Sequence, residues 1–203
     1  MTFSSSNGNR KKFSLRTIVL ALLCGQGVFF LLAGRAAAEG GTTLTLGNVS
    51  ALPKSEVLVP LLLAPDPPGL QIGSVSATVN FENKSVTFLR AEKGFLLDGV
   101  NGGFQADLAK DPADAAKSQL KVTVATKGEP RKPLREGLLI TLVFQIAETA
   151  APETKVSLDL DHLSATDVSN PPKAITPLQA ESGSVEVIPP EQVPYVPCFF
   201  FTH

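Results

Sequence analysis

From Thr43 to Ile188 the apolar residues of this chain recur mostly at every second position, in short runs broken by glycine, proline, asparagine and aspartate. That spacing sends one side of each run into a core and leaves the other in water, so it fits strands of a sandwich or barrel. Nine segments read as strands: TLTLGNV (43–49), EVLVPLLLA (56–64), SVSATVNF (74–81), SVTFLRAE (85–92), GFQADL (103–108), QLKVTVAT (119–126), GLLITLVFQIA (137–147), KVSLDLD (155–161) and GSVEVI (183–188). In the third, Val75, Ala77, Val79 and Phe81 share one side, while Ser74, Ser76, Thr78 and Asn80 share the other. In the eighth, Val156, Leu158 and Leu160 oppose Ser157, Asp159 and Asp161. One wet and one dry face per strand is the pattern of antiparallel sheets packed across a core.

The second and seventh segments are apolar on both sides, which predicts central strands partly covered by loops. Pro60 predicts a bulge or a break in pairing, because proline cannot donate to a ladder. The stretch VNFENKSVTFLRAEKG, Val79 to Gly94, reads as a hairpin turning at Glu82-Asn83-Lys84. One helical turn near Ala113–Ala116 is the only helix expected.

The ends have a different composition. Arg10, Lys11, Lys12 and Arg16 precede the apolar run TIVLALLCGQGVFFLLAG, and Ala36–Ala38 then supplies small residues. That order is the signature of a secretory signal peptide over residues 1–38. The same run, Thr17 to Gly34, approaches the roughly 20 residues of a membrane span, so an uncleaved anchor is the rival reading. Residues 39–188 then form one domain, and residues 189–203 form a Pro-rich tail ending in CFFFTH. The expected location is secreted, cell-surface or periplasmic.

Residues 1–38 hold five basic and no acidic side chains, so 13 Lys and Arg face 19 Asp and Glu in the remainder, a net charge of −6. A nucleic-acid partner would require a basic stripe, and none is present. Cys24 lies in the leader and Cys198 in the tail, which leaves the domain without a disulfide.

The inventory for catalysis is thin. His162 and His203 are the only histidines, and no Gly-x-Ser-x-Gly elbow accompanies them. Asp159 and Asp161 point to one face and could ligate calcium, but the Gly-containing loop of such sites is missing. The expectation is a protein without catalysis, metal or cofactor, in which these acids and Lys121 form the charged part of a protein-binding face. Phe81, Phe88, Phe95, Phe104 and Phe144 mostly fall in apolar phase, so core is their default place. There is no tryptophan, and Tyr195 is in the tail, which disfavours sugar binding by ring stacking.

Several segments, taken in order, resemble the cohesin domains of bacterial cellulosome scaffolds. FENKSVTFLRAEKG fits the family's third-to-fourth strand frame, with Phe81 for the aromatic and Asn83-Lys84 at the turn. LTLGNVSALPKSEVLVPLLL is similar to the opening strands, EGLLITLVFQIAETA to a Gly-x-Leu-x-x-Leu-x-Phe strand, and SATDVSNPPKAITPLQAESGSVEV to the closing segment. Phe-Glu-Asn stands where the family has Tyr-Asp-Pro, and the loops at 64–72 and 127–136 are unusually Pro-rich. The resemblance implies an all-β, nine-stranded antiparallel jelly-roll sandwich with sheets ordered 8-3-6-5 and 9-1-2-7-4. It also implies a dockerin-type protein partner on the 8-3-6-5 face, in extracellular polysaccharide degradation. That face would carry Ser74, Ser76, Thr78, Asn80, Gln105, Asp107, Lys121, Thr123, Ser157, Asp159 and Asp161. The alternatives are a carbohydrate-binding module with a polysaccharide ligand and a purely structural cell-surface domain.

Overall fold

In the computed structural model, which describes residues 41–190, the alternating segments become strands. The signal-like leader and the apolar tail lie outside the described residues. In chain order the elements are β1 (Thr42–Leu46), β2 (Asn48–Ala51), β3 (Glu56–Ala64), β4 (Ile72–Glu82), β5 (Val86–Lys93) and α1 (Leu96–Gly99). There follow β6 (Gly102–Lys110), β7 (Lys117–Thr126), β8 (Gly137–Ile146), β9 (Lys155–Asp167), β10 (Leu178–Glu181) and β11 (Gly183–Val187). They form two sheets, ordered β10-β1-β3-β8-β5 and β2-β11-β9-β4-β7-β6. Among these residues no helix is long and apolar enough to cross a membrane.

The fold is the expected all-β sandwich, with eleven strands in place of nine. One of the extra two arises because the first expected strand changes sheets partway, at Gly47, and the other because residues 178–181, which lie outside the expected strands, form a strand of their own. β1 pairs in parallel with β10 in one sheet, and β2 pairs in parallel with β11 in the other. Both sheets are therefore mixed, and residues 183–187 join the sheet opposite to the one expected. Residues 178–181 take the place beside β1 instead.

Only glycine fits where the two strands cross. A Cβ on Gly47 would lie 2.7 Å from the Pro60 ring, and one on Gly183 would lie 2.5 Å from the Gly47 carbonyl oxygen. The Gly47 N–H donates to Pro60 O at 2.9 Å, which ties the crossing to β3. The irregularity expected at Pro60 falls beside it, as a register shift between Leu61 and Leu62.

Three local expectations are corrected. Val79–Gly94 is not a hairpin, because β4 pairs with β7 on one edge and β9 on the other. No edge remains for β5, so residues 83–85 carry the chain across to the second sheet. No helix forms at 113–116: the Asp111 and Asp114 carboxylates accept the N–H groups of Ala113 and Ala116 at 2.8 and 3.0 Å. Such local bonds offer the backbone an alternative to the helical ladder. Finally, no loop covers β3, whose outward Leu58 and Leu62 are exposed, although it is central as expected.

Between the sheets, Leu44, Val59, Leu61, Leu142 and Phe144 meet Val75, Val79, Leu120, Val122 and Leu158 in one buried cluster. Phe144 packs edge-on against Phe81 of the opposite sheet at 5.2 Å between centroids, and against Phe88 at 5.7 Å. Phe81 and Phe144 are thus core residues, and Phe88 and Phe104 are half-buried against the core. Phe95 departs from the expectation and is exposed.

Candidate binding face

The outer face of the six-stranded sheet is built by the same alternation that fills the core. Along β4 the odd positions from Val75 to Phe81 are buried, which leaves Ser74, Ser76, Thr78 and Asn80 half-buried on the outside. Strand pairing then lines the polar residues up in transverse rows. Asp159, Asn80 and Gln119 make one row, and Asp161, Thr78, Lys121 and Asp107 the next. Ser164, Ser76, Thr123 and Gln105 make a third, and Thr166, Ser74 and Ala125 a fourth. Every residue expected on the 8-3-6-5 face lies here, with Ser157 on β9 opposite Ser184 of β11.

Ser164, Thr166 and Gln119 belong to the face but were missing from the expectation. Gln119 begins the β7 segment in phase with Lys121 and Thr123, whereas Ser164 and Thr166 were displaced by a bulge in β9. His162 and Leu163 together oppose Ala77, and His162 takes a left-handed backbone with φ of 47°. Two residues against one reverse the phase of the strand. Leu160 points inward before the bulge and Ala165 after it, so the apolar beat changes from even to odd. That change of beat is visible in the sequence.

Side-chain bonds along the rows fix much of the surface. Ser74 Oγ lies 2.8 Å from Thr166 Oγ1, and Ser76 Oγ lies 3.1 Å from Thr123 Oγ1. Gln105 donates to Asp107, and Ser157 donates to Asp159. Asn80 Nδ2 donates to Asp161 Oδ2 at 2.7 Å. The remaining oxygens of this pair, Asn80 Oδ1 and Asp161 Oδ1, are buried without a hydrogen-bond donor. A buried acceptor left in that state costs about 1–3 kcal/mol. Lys121, one row away from Asn80, forms no ion pair among the described residues.

Nothing on this face resembles a catalytic site. His162 Nε2 lies 3.8 Å from Asp161 Oδ1, is largely exposed, and hydrogen-bonds no serine among the described residues. No group of three or more His, Cys, Asp or Glu side chains there could hold a metal ion. Asp167, at the end of β9, has a structural task instead. Its Oδ1 accepts the Lys173 N–H at 2.8 Å, the Ser169 hydroxyl at 2.5 Å and the Ser169 N–H at 3.1 Å.

These bonds lower the Asp167 pKa below the ordinary 3.8, the Lys173 N–H contributing most and the Ser169 hydroxyl next. A lowered native pKa stabilises the folded loop fully above the ordinary value, and that contribution is lost as pH falls through the lowered one. Hydrogen-exchange protection of the Ser169 and Lys173 amides should therefore persist down to about pH 4 and fade below it. Asp167→Ala should remove it at every pH and leave β4 and β7 amides unchanged.

No family model matches the sequence, and no curated protein matches it significantly. Solved structures do resemble the fold. The cohesin of a type I cohesin–dockerin complex from Clostridium thermocellum aligns with a TM-score of 0.59 at 18% identity, over 73% of this chain and 99% of that one. A non-cellulosomal cohesin from the archaeon Archaeoglobus fulgidus aligns with a TM-score of 0.56 at 17% identity, over 75% and 94%. The sixth cohesin of scaffoldin B from Acetivibrio cellulolyticus, solved with a dockerin, aligns with a TM-score of 0.56 at 20% identity, over 72% and 99%. Residues 41–190 have the fold of a cohesin domain.

Proposed function

We propose that this domain is an exported, non-catalytic binding module that takes a dockerin-like helical protein on the outer face of the six-stranded sheet. The observation that carries the reading is the Asn80–Asp161 pair. Two acceptors on this partly bonded polar face lack donors, and Lys121, which forms no ion pair among the described residues, lies one row from Asn80 on the adjacent strand. A small turn of either side chain brings its free oxygen to the surface. A hydroxyl, amide or cation of a partner helix then satisfies it, and the partner's carboxylates meet Lys121. Likeness in fold to cohesins solved with dockerins supports the same reading. The face lacks Tyr, Trp and Arg, where binding energy usually concentrates. Its affinity should therefore come from many modest hydrogen bonds.

Calorimetric titration of the domain with a panel of dockerins tests this. A binder should lose at least about tenfold in affinity, roughly 1.4 kcal/mol, in the triple variant Lys121→Glu, Asp159→Lys, Asp161→Lys. Wild-type affinity in that variant would move the site off this face. Sedimentation with cellulose or xylan is the companion measurement. Retention there, with no dockerin bound, would replace protein recognition by polysaccharide recognition.

A further inference from the structure

A second surface lies at one end of the sandwich, where residues 94–101 join β5 to β6 and residues 127–136 join β7 to β8. There Phe95, Leu96 and Val100 on one side and Lys132, Pro133 and Arg135 on the other line a cleft of about 590 Å³. Phe95 is 68% exposed, more than any other large apolar side chain among the described residues.

That exposure is built in by its neighbours. On one flank Gly94 N–H donates to Leu139 O at 2.9 Å, and the contact is close enough that any Cβ at position 94 would collide with that oxygen. On the other flank Leu97 is fully buried. Held at both points, the segment has no freedom to turn the Phe95 ring inward. The facing wall is fixed in a comparable way. Leu134 is buried and its N–H donates to Ile72 O at 2.7 Å, so Pro133 and Arg135 on either side of it are left at the surface.

The charges are arranged unevenly. Residues 127–136 hold Lys127, Arg131, Lys132 and Arg135 against Glu129 and Glu136, a basic excess in a domain that is acidic as a whole. Lys132 and Arg135 form no ion pair among the described residues. The nearby Asp98 is already engaged by Lys93 at 2.7 Å.

An apolar wall facing two unpaired cations suits a ligand that carries a bulky apolar group between carboxylates. A sugar fits less well, because its hydroxyls need directional amide or carboxylate partners and the lining side chains supply only the two cations. We propose that this cleft docks an acidic peptide segment. One large apolar side chain of the peptide rests on Phe95 and Val100, and its flanking carboxylates meet Lys132 and Arg135, the latter able to bind two oxygens at once.

Fluorescence anisotropy with a labelled peptide of sequence Glu-Asp-Leu-Phe-Glu-Asp tests the proposal on the full chain. The peptide should bind, and added salt should weaken it by screening the charge pairs. Phe95→Ser and Arg135→Glu should each cost about tenfold or more. Both positions are exposed, so these variants should keep the wild-type melting temperature. Replacing the peptide's acids by Gln and Asn, or its Leu-Phe by Ser-Ser, should also abolish the signal. Absence of binding to the wild type, or wild-type affinity in both variants, overturns the proposal. So does retention on polygalacturonate with no peptide bound. The triple variant of the β-sheet face should bind the peptide normally, so failure of either proposal is readable without the other.

Discussion

Phe144→Ala should destabilise the domain by about 3–5 kcal/mol, the range for removing a buried aromatic side chain. The ring is fully buried in β8 and sits between Phe88 of its own sheet and Phe81 of the other. Its loss therefore forfeits apolar burial and two edge-to-face contacts together, and leaves a cavity that straddles both sheets. Domains of this size are stable by about 5–15 kcal/mol, so roughly a fifth or more of the total is at stake. Urea unfolding followed by far-ultraviolet circular dichroism measures it, as a lower midpoint at unchanged slope. Phe95→Ala is the matched control, since that exposed ring should change stability by no more than about 0.5 kcal/mol. A loss below 1 kcal/mol for Phe144→Ala would mean that the ring contacts are not what joins the sheets.

Gly183→Ala should cost about 2–3 kcal/mol, the upper part of the range for overpacking. The new methyl would meet the Gly47 carbonyl oxygen at 2.5 Å and Leu46 Cβ at 2.8 Å. Those atoms belong to the strand that crosses beside it, so neither can move without disturbing a ladder. For a domain of about 150 residues the melting temperature should fall by roughly 4–12 °C. Gly99→Ala, with nothing within 4 Å of its Cβ position, should leave melting within a few degrees of wild type. If both variants melted alike, close approach at the crossing would not be the reason for glycine at 183.

The strands and their faces were legible in the sequence wherever alternation ran unbroken. The β4 residues Ser74 to Asn80 are the clearest case, because a period of two leaves no choice about which side is wet. The face assignment stopped at Asp161, because the His162 bulge reverses the phase and Ser164 and Thr166 follow the new beat. The change of sheet at Gly47 and Gly183 was hidden for another reason. Each glycine is visible, but the need for it comes from contacts with residues far away in the chain. Local composition also misled. The alanines at 113, 115 and 116 favour helix, yet Asp111 and Asp114 captured the backbone first. Phe95 follows Gly94 beyond the end of β5, so strand phase could not assign it a side.

The paired crossing of β1–β2 with β10–β11 also decides how the domain bears load. Both segments run in the same direction, so the described chain enters beside Thr42 at one pole and leaves beyond Val187 at the other. Tension applied between these poles would slide β1 past β10 and β2 past β11 along their own axes. The interstrand hydrogen bonds of each pair would then resist together, because none can open before its neighbours in the ladder. The outer face of the six-stranded sheet would in this way stay intact under pull, with Gly47 and Gly183 as the pins at which the two ladders interlock.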